Sequence, residues 1–441
     1  MIENRHITNE VIKKSEFPPS DWEYSKLGNI TNLRKQPVSP DEIKDIGKDV
    51  RYVGLEHLES GNPRLWSWSN PSKVKSTKNT FFAGDVLYGK LRPYLDKAVL
   101  AEWEGICSTD ILVLKPSKRI TSEYLAYHLH IKPFVRHAIS TTSGTNHPRT
   151  SWSALSEYSF YLPTIYEQQK IAYTLSTIQQ AIEATDKVIT AAQELKKSLM
   201  QHLFTYGHVS LEEAEQVPLK ETEIGMIPEH WELVYLGDIT KVKGGKRLPK
   251  GHVFSDIPTP YPYLRVVDFY NQSININNLK HLTCQDYERI KNYTISSNDV
   301  YISIAGTIGL VGLIPKELDG ANLTENAAKL VIQYPMKINN YFLMSFLAST
   351  LGQKQIHSLS TKTSQPKLAL SRIRQIVVAL PPLSEQTEIS NALKKVILKI
   401  EIEERKRYIL QSLFNSMLHH LMTGKLRVND FDLNIPEEVA Q

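Results

Sequence analysis

Two long stretches of the chain carry apolar residues at helical spacing. In the first, which follows Leu162 and Pro163, apolar side chains recur every three or four residues. Neither Gly nor Pro occurs between Glu167 and Tyr206. The pattern therefore predicts one uninterrupted helix of about forty residues, roughly 60 Å long at 1.5 Å per residue. A single apolar stripe on so long a helix indicates that it packs against another helix.

The second stretch repeats the first at an offset of 218 residues. A Glu-Gln pair opens both stretches, at Glu167 and at Glu385, and the apolar positions follow in the same order. The chain therefore contains an internal duplication. The stripe includes Leu195 and its repeat Leu413. The residues predicted to form the helix–helix seam are Ile171, Leu175, Ile178, Ile182, Leu199, Ile389, Leu393, Val396, Ile400 and Met417.

Each long stretch is preceded by about 145–155 residues in which short β-branched runs alternate with Gly, Pro, Asn and Asp. Runs such as those at 111–114 and 300–304 are typical of strands in a mixed or antiparallel sheet. Both regions open with the same Pro…Trp-Glu…Leu-Gly-x-Ile pattern, around Trp22 and Trp231. The sequence thus predicts two α+β domains that are copies of one unit.

The predicted fold class is α+β, with two tandem mixed α/β domains separated by two long antiparallel coiled-coil helices in a pseudo-two-fold internal repeat. The expected boundaries are an N-terminal leader (1–16), a first globular domain (17–163), a long helix (164–205), a linker (206–226), a second globular domain (227–382), a second long helix (383–424) and a tail (425–441).

Composition and charge exclude several classes of protein. A hydrophobic content of 41% in 441 residues provides for packed cores and excludes wholesale disorder. The two cysteines, Cys107 and Cys284, are too few for a disulfide scaffold and lack zinc-binding spacing. No signal peptide and no run of eighteen apolar residues is found, so we expect a cytoplasmic protein without a membrane span. The net charge of +5 permits a nucleic-acid partner without requiring one.

The sequence contains no motif typical of catalysis. It has no phosphate-binding P-loop, since the run 244–247 is too compact, and no Gly-rich dinucleotide turn. Paired C-x-x-C and H-E-x-x-H motifs are also absent, so no metal ligands are predicted. Asp41 to Lys44 resembles the end of a nuclease metal motif, but its carboxylates are neighbours, and we interpret it as a solvated loop. We expect no catalytic residues.

Basic, amide and hydroxyl side chains cluster in loops of both globular domains. Such side chains can hold phosphates and hydrogen-bond to base edges. One cluster alone is more typical of a solvated surface, but recurrence at matching places in two copies favours a binding role. The candidate DNA-binding residues are Arg34, Lys35, Lys90, Arg92, Tyr94, Thr145, Asn146 and Arg149 in the first domain, and Lys243, Lys246, Arg247, Lys250, Arg265, Lys362, Gln365 and Lys367 in the second.

Nearly the whole chain resembles the specificity (S) subunit of type I restriction–modification systems. The most specific marks are the two Pro…Trp-Glu…Leu-Gly openings and the segments 87–95, 106–110, 305–309, 363–367 and 380–386. The first copy departs from the pattern, with Thr164-Ile165-Tyr166 where the second has Pro382-Leu383-Ser384, and with His147-Pro148-Arg149 where the second has Gln365-Pro366-Lys367.

The resemblance implies that each globular domain is a target recognition domain for double-stranded DNA. It adds Thr307 to the candidate DNA-binding residues of the second domain. It implies that the long helices dock two modification (methyltransferase) subunits, and through them restriction subunits. S-adenosylmethionine, ATP and Mg²⁺ would be bound by those partners and not by this chain. Two domains that differ in sequence would read an asymmetric, bipartite target. The helix residues expected to face partners include Lys187, Gln193, Lys196, Lys399, Glu403 and Arg407.

Three alternatives remain open at the level of sequence. A coiled-coil adaptor without a DNA role explains the helices but not the matched basic loops. A specificity module of a type IIB-like restriction system shares the same organisation. An autonomous nuclease or methyltransferase is disfavoured, because its motifs are absent.

Overall fold

A computed structural model describes residues 19–45, 50–71, 76–361 and 366–428. The chain forms two compact units. Unit 1 comprises Met1–Asp186 and Arg405–Gln441, and unit 2 comprises Lys187–Glu404. Each long helix therefore contributes one half to each unit. None of the described helices is long and apolar enough to cross a bilayer.

The secondary structure alternates short strands and short helices, apart from two long helices, α6 (Ile165–Tyr206) and α13 (Leu383–Met422). In unit 1 the elements are β1 (Glu23–Lys26), α1 (Leu27–Ile30), β2 (Thr31–Leu33), β3 (Pro37–Val38), α2 (Pro40–Asp45), β4 (Tyr52–Val53), β5 (Lys78–Phe81), β6 (Val86–Gly89), β7 (Ala98–Leu100), β8 (Gly105–Cys107), β9 (Ile111–Pro116), α3 (Ser122–His128), α4 (Lys132–Ser140), α5 (Trp152–Leu155), β10 (Ser159–Leu162) and the first half of α6 (Ile165–Tyr206).

Unit 2 contains a larger set of strands. Its elements are α7 (Leu211–Ala214), β11 (Leu219–Thr222), β12 (Gly225–Pro228), β13 (Glu232–Tyr235), α8 (Leu236–Ile239), β14 (Thr240–Gly244), β15 (Pro262–Leu264), β16 (Phe269–Tyr270), β17 (Ser273–Ile274), β18 (Lys280–His281), α9 (Cys284–Ile290), β19 (Val300–Ser303), β20 (Val311–Leu313), β21 (Asn322–Leu323), β22 (Ala327–Ile332), α10 (Asn340–Ala348), α11 (Thr350–Leu359), α12 (Leu370–Ile373), β23 (Val377–Leu380) and the first half of α13 (Leu383–Met422).

The main sheets of the two units have the same topology. Unit 1 has the antiparallel order β2-β9-β6-β7, and unit 2 has the antiparallel order β14-β22-β19-β20. Each unit also pairs its opening strand with its last strand, β1 with β10 and β13 with β23. The α+β tandem repeat predicted from the sequence is confirmed. A second sheet in each unit, β3-β5-β8-β4 and β18-β15-β21, includes one parallel pair.

The long helices run antiparallel within each unit. In unit 1, Arg427, just after α13, contacts Glu167 at the start of α6, and Arg407 contacts Asp186 in the middle of α6. Residue numbers along α13 therefore decrease in the direction in which those along α6 increase. In unit 2, Glu388 pairs with His208 near the end of α6. Six of the predicted seam residues are buried: Ile171, Leu175, Ile182, Ile389, Leu393 and Ile400. The other four, Ile178, Leu199, Val396 and Met417, are half-buried.

The prediction that Leu195 and Leu413 belong to the buried stripe is wrong, since their side chains are 56% and 44% exposed. At about 100° per residue, Leu195 lies about 140° around α6 from buried Ile182, whereas Lys196 lies only about 40° away. Phe414, which is 2% exposed, takes the corresponding buried place on α13. The predicted stripe reaches Leu195 from Ile189 through Ala192 by two successive steps of three residues, and each such step falls about 60° short of a full helical turn.

Two other predicted segments differ from expectation, and the described part of the tail makes contacts for which there was no prediction. The stretch 206–226, interpreted as a linker, forms α7, whose Ser210 and Glu213 make a reciprocal cap, and the hairpin β11–β12. The described part of the tail is packed, because Arg427 is bound by Asp21 and Glu167. Residues 40–45 form the short helix α2 and not a loop, and Glu42 accepts a hydrogen bond from the backbone of Ser39. Residues 1–16 and 429–441 lie outside the described part of the chain.

Candidate nucleic-acid interface

One end of each main sheet collects most of the candidate DNA-binding residues. In unit 1, β2 and β6 both pair antiparallel with β9, so their C-terminal ends lie at the N-terminal end of β9. We call this end edge 1. In unit 2, β14 and β19 both pair antiparallel with β22, and the same end of that sheet is edge 2. Antiparallel pairing thus places loops that are distant in sequence side by side.

At edge 1, the loop after β6 is joined to the loop between α4 and α5. Leu91 and Arg149 form a β-bridge, and the backbone N–H of Arg92 donates to the carbonyl of Pro148 at 2.8 Å. The backbone N–H of Thr150 donates to the carbonyl of Lys90 at 3.1 Å. These bonds bring Lys90, Arg92 and Arg149 together. Thr145 and Asn146 are exposed on the second of these loops.

A strained turn carries Tyr94 at edge 1. Arg92 and Asp96, at its two ends, have positive φ values of 53° and 50°, a conformation that costs energy for residues other than glycine. Asp96 is fixed by His130, whose Nδ1 lies 2.8 Å from its carboxylate. Between them Tyr94 is 54% exposed and Leu95 is 37% exposed. The turn therefore holds a tyrosine out at the edge, where its hydroxyl can reach a phosphate or a base edge.

Arg34 and Lys35 follow β2 but differ in their surroundings. Arg34 makes two hydrogen bonds, at 2.8 and 2.9 Å, to the buried carboxylate of Asp85. That guanidinium is occupied inside unit 1, where it neutralises a buried charge. Lys35 is exposed. Of the two, only Lys35 presents an unburied charge at edge 1.

Edge 2 repeats the loop pairing of edge 1. Ala305, in the loop after β19, forms a β-bridge with Lys367, and the backbone N–H of Leu368 donates to the carbonyl of Ile304 at 2.9 Å. Thr307 and Lys367 are exposed on these loops. Lys362 and Gln365 lie outside the described residues.

The loop after β14 adds the basic residues of edge 2. Lys243 is the next-to-last residue of β14, and Lys246 and Lys250 are exposed in the loop. Nζ of Lys246 lies 5.6 Å from the centre of the Tyr293 ring. The backbone of Gly245 lies so close to that of Thr324 that a Cβ atom at position 245 would be 2.1 Å from the carbonyl oxygen of Thr324. Only glycine allows this approach, which fixes where the basic loop leaves the sheet.

Arg265 is not part of edge 2. It follows β15 in the smaller sheet, and its guanidinium makes hydrogen bonds of 3.0 and 2.7 Å to Asp268. Asp268 also accepts from the backbone N–H of Arg265, so the pair closes a local turn. As with Arg34, a sequence cannot distinguish such an arginine from one that is available to DNA.

Two acidic residues at the edges were missed by the sequence analysis. Asp110 directly precedes β9 and binds Arg149, with Nε–Oδ1 and Nη2–Oδ2 distances of 2.9 and 3.1 Å. Glu325 lies just before β22 and accepts a hydrogen bond of 2.6 Å from Nε of Arg247. The available signal was an acidic residue ahead of the same inner strand in both copies.

Most polar helix residues that were expected to face partners are engaged within the chain. Nζ of Lys196 donates to Gln272 at 3.2 Å, Arg407 pairs with Asp186, and Lys399 pairs with Glu403, which is 7% exposed. Lys187 and Gln193 are exposed. The described residues include no group of three or more His, Cys, Asp and Glu side chains that could hold a metal ion.

Comparison with known proteins identifies the family. The family model for the type I restriction modification DNA specificity domain matches residues 19–193 and 228–411, together more than half of the chain. The chain belongs to this family. Each of the two matches contains one main sheet with its edge.

Relatives of similar length support the assignment. The chain is 24% identical over 431 residues to the type I restriction enzyme MjaVIII specificity subunit of Methanocaldococcus jannaschii, covering 94% of this chain and 95% of the relative. It is 26% identical over 436 residues to the putative MjaX specificity subunit of the same organism, covering 95% and 97%. This chain is therefore a type I specificity subunit, a DNA-recognition component and not a catalytic one.

A solved structure shares the fold. The S subunit of a type I restriction–modification system from M. genitalium superposes with a TM-score of 0.61 at 17% sequence identity. The match covers 93% of this chain and 98% of that one. The likeness extends over both units and supports the tandem α+β architecture.

Proposed function

We propose that this specificity subunit selects an asymmetric, bipartite target in double-stranded DNA, with edge 1 contacting one half of the target and edge 2 the other. The observation that carries the proposal is that the same sheet end recurs in both units with different side chains. Edge 1 presents Tyr94, Thr145 and Asn146, whereas edge 2 presents Thr307 and Lys246. Different hydrogen-bonding groups read different bases, so the two half-targets differ.

The basic residues of the edges supply the part of the binding that does not depend on sequence. In this proposal, phosphates are contacted by Lys35 and Lys90 in unit 1 and by Lys246, Lys250 and Lys367 in unit 2, and these contacts orient the edges. We expect this contribution to weaken as salt increases, because phosphate contacts release counterions.

The catalytic work belongs to partner subunits in this proposal. Two modification subunits dock on the long helices in the cytoplasm, and restriction subunits join through them. The partners carry S-adenosylmethionine, ATP and Mg²⁺. Leu195 in unit 2 and Leu413 in unit 1 are identical at the repeat offset and are both exposed, which supplies one equivalent apolar contact in each unit. Other apolar side chains are exposed on the same helices at helical spacing from these leucines, Val188 two turns before Leu195 and Ile409 one turn before Leu413. An exposed apolar patch of this kind is typical of a surface that a partner covers.

Sequencing of adenine methylation in the host genome tests the proposed function. Deletion of this chain should abolish methylation at one gapped, asymmetric motif, and the wild-type chain should restore it. Simultaneous replacement of Lys35, Lys90 and Thr145 by alanine should weaken that restoration, and so should replacement of Lys246, Thr307 and Lys367. Lys115→Ala, near the opposite end of β9, is the matched control and should restore methylation fully. Methylation that survives the deletion would count against the proposal.

Docking predicts a change in stoichiometry. Leu195→Asp and Leu413→Asp should each reduce the bound modification subunits from two to one, and the double variant should bind none. Loss of one buried leucine costs about 1.5–3 kcal/mol, or roughly a ten- to hundredfold weaker contact. Native mass spectrometry of the assembled complex measures the outcome. Leu211→Asp is the control, since Leu211 is 79% exposed on the separate helix α7. Two bound subunits in the double variant would refute this docking surface.

A further inference from the structure

Each edge holds an arginine against a carboxylate at the start of the inner strand. The Arg149 and Asp110 side chains are 43% and 25% exposed, and those of Arg247 and Glu325 are 76% and 28% exposed. Both pairs therefore stand at the surface that we assign to DNA. A carboxylate in such a place is unexpected for electrostatics alone, because it repels the phosphate backbone.

The acids of both pairs lie just before the inner strand, Asp110 one residue ahead of β9 and Glu325 two residues ahead of β22, but the arginines come from different loops. Arg149 comes from the loop between α4 and α5, whereas Arg247 comes from the loop after β14. The acids precede β9 and β22, which occupy the same place in the two sheets. The backbone N–H of Ile304 donates to the carbonyl of Asn326 as that of Lys90 donates to the carbonyl of Asp110, so Glu325 lies one residue before the counterpart of Asp110. What the two edges share is a carboxylate just ahead of the inner strand that is bound by an arginine.

Further bonds hold both acidic residues in place, at the backbone of Asp110 and at the carboxylate of Glu325. The backbone N–H of Asp110 donates to Oγ of Ser108 at 3.3 Å, and its carbonyl accepts from the backbone N–H of Lys90 at 2.9 Å. Oε2 of Glu325 accepts from Oγ1 of Thr324 at 3.0 Å, and the Tyr263 hydroxyl, which donates to the carbonyl of Lys246 at 2.8 Å, lies 3.4 Å from it. These contacts fix the acids before DNA arrives, which reduces the ordering cost of binding.

The charges of both pairs are maintained at neutral pH. The hydrogen bond from Arg149 lowers the pKa of Asp110 below its ordinary value. Burial alone would raise the pKa of Glu325, but the hydrogen bonds that it accepts, with that from Arg247 the largest of them, outweigh burial and lower it. Each acid is therefore an ionised acceptor with no proton to donate.

We propose that Asp110 and Glu325 are specificity-determining residues, each reading the exocyclic amino group of a cytosine or adenine in its half of the target. The proposal rests on the DNA-recognition function proposed above. A carboxylate accepts from a base amino group in the major groove and is repelled by the keto oxygens that other bases present there. The same charge keeps the paired arginine away from phosphates until the correct base satisfies the acid, which penalises non-specific DNA.

Isosteric substitutions test the inference in the full chain. Asp110→Asn and Glu325→Gln keep the size of each side chain but remove its charge and free its arginine. Binding is measured on the target duplex and on a random duplex of equal length, across a range of salt concentrations. We expect each variant to bind random DNA more tightly, with a salt slope steeper by about 0.9 for each additional phosphate that the freed arginine neutralises. The ratio of specific to non-specific affinity should fall roughly 5- to 150-fold.

Selection from a randomised duplex library then locates the effect. Asp110→Asn should relax one base position in one half of the target, and Glu325→Gln should relax one position in the other half. Glu157→Gln and Glu288→Gln are matched controls, since each removes a carboxylate from an exposed ion pair, with Lys26 and with Lys291. Both controls should leave the selected sequences and the affinity ratio unchanged.

The outcomes separate this inference from the proposed function. A wild-type chain that does not distinguish target from random DNA would overturn the proposed function itself. A wild-type chain that does distinguish them, with both variants keeping its affinity ratio and its selected bases, would overturn only the role of the carboxylates.

Discussion

Replacement of Glu167 by alanine is expected to destabilise unit 1 by about 3 kcal/mol, because a buried ion pair loses its acid. Glu167 is 1% exposed in the first turn of α6. Its carboxylate accepts from Nε1 of Trp22 at 2.9 Å, and from Nε and Nη2 of Arg427 at 2.6 and 2.9 Å. One side chain thus joins the opening of the globular domain to the segment after α13. The alanine variant leaves the indole N–H without an acceptor.

The repeat supplies a matched control. Glu385 is the counterpart of Glu167 and accepts from Trp231 at 3.2 Å, but its second partner is His230, at 2.9 Å, and no arginine is present in this contact. Glu385→Ala should therefore cost less, about 1–2 kcal/mol. Because the chain forms two compact units, hydrogen exchange resolved by peptide in increasing urea is the measurement that assigns the loss of stability to one unit. The expectation would be contradicted if the two variants lost the same free energy of unfolding. It would also be contradicted if each variant destabilised both units.

His128 is expected to make unit 1 sensitive to acid. The ring is fully buried, it lies 3.9 Å from the ring centre of Phe160, and neither nitrogen has a hydrogen-bond partner among the described residues. Burial lowers the pKa of His128 from 6.5 to about 3. The folded state therefore keeps the ring neutral while the unfolded chain takes up a proton below pH 6.5. Stability falls as pH drops through 6.5 towards 3, by about 2.7 kcal/mol at pH 4.5.

Substitution of His128 by phenylalanine tests this effect. The variant keeps the aromatic packing but cannot titrate, so the unfolding free energy of unit 1 should become about 2.7 kcal/mol less dependent on pH between 6.5 and 4.5. Chemical denaturation at several pH values measures the slope, and any cost of the larger ring appears equally at every pH. His147→Gln, at an exposed position of edge 1, is the control. A variant that retains the wild-type slope would show that another group is responsible.

The long helices and the repeat could be predicted because both are periodic in sequence. Forty residues without Gly or Pro leave no alternative to helix, and a fixed offset reveals a duplication without knowledge of the fold. The burial of individual side chains along these helices could be predicted less well. Leu195 and Lys196 are neighbours, and only the angle around α6, summed over several turns, distinguishes the exposed leucine from the half-buried lysine.

The residues that lie at edge 1 and edge 2 could be predicted only in part, because the pairing of the strands decides which loops meet there. The basic loops were identified from the sequence. Asp110 and Glu325 were not, because their place at the edges follows only from the positions of β9 and β22 as inner strands of the two sheets. Likewise, Arg34 finds Asp85 fifty-one residues away. Partners at such separations are set by the packing of the whole domain and leave no local signal.

The division of the chain into units has a consequence for its synthesis on the ribosome. Unit 2 is continuous, whereas unit 1 needs residues from 405 onwards, which are translated only after unit 2. Until Phe414 and Leu418 emerge, the apolar face of α6 at Ile171 and Leu175 lacks its covering helix. The globule that is made first is therefore the last to be completed. Until then the nascent chain exposes an apolar helical surface, of the kind that chaperones bind.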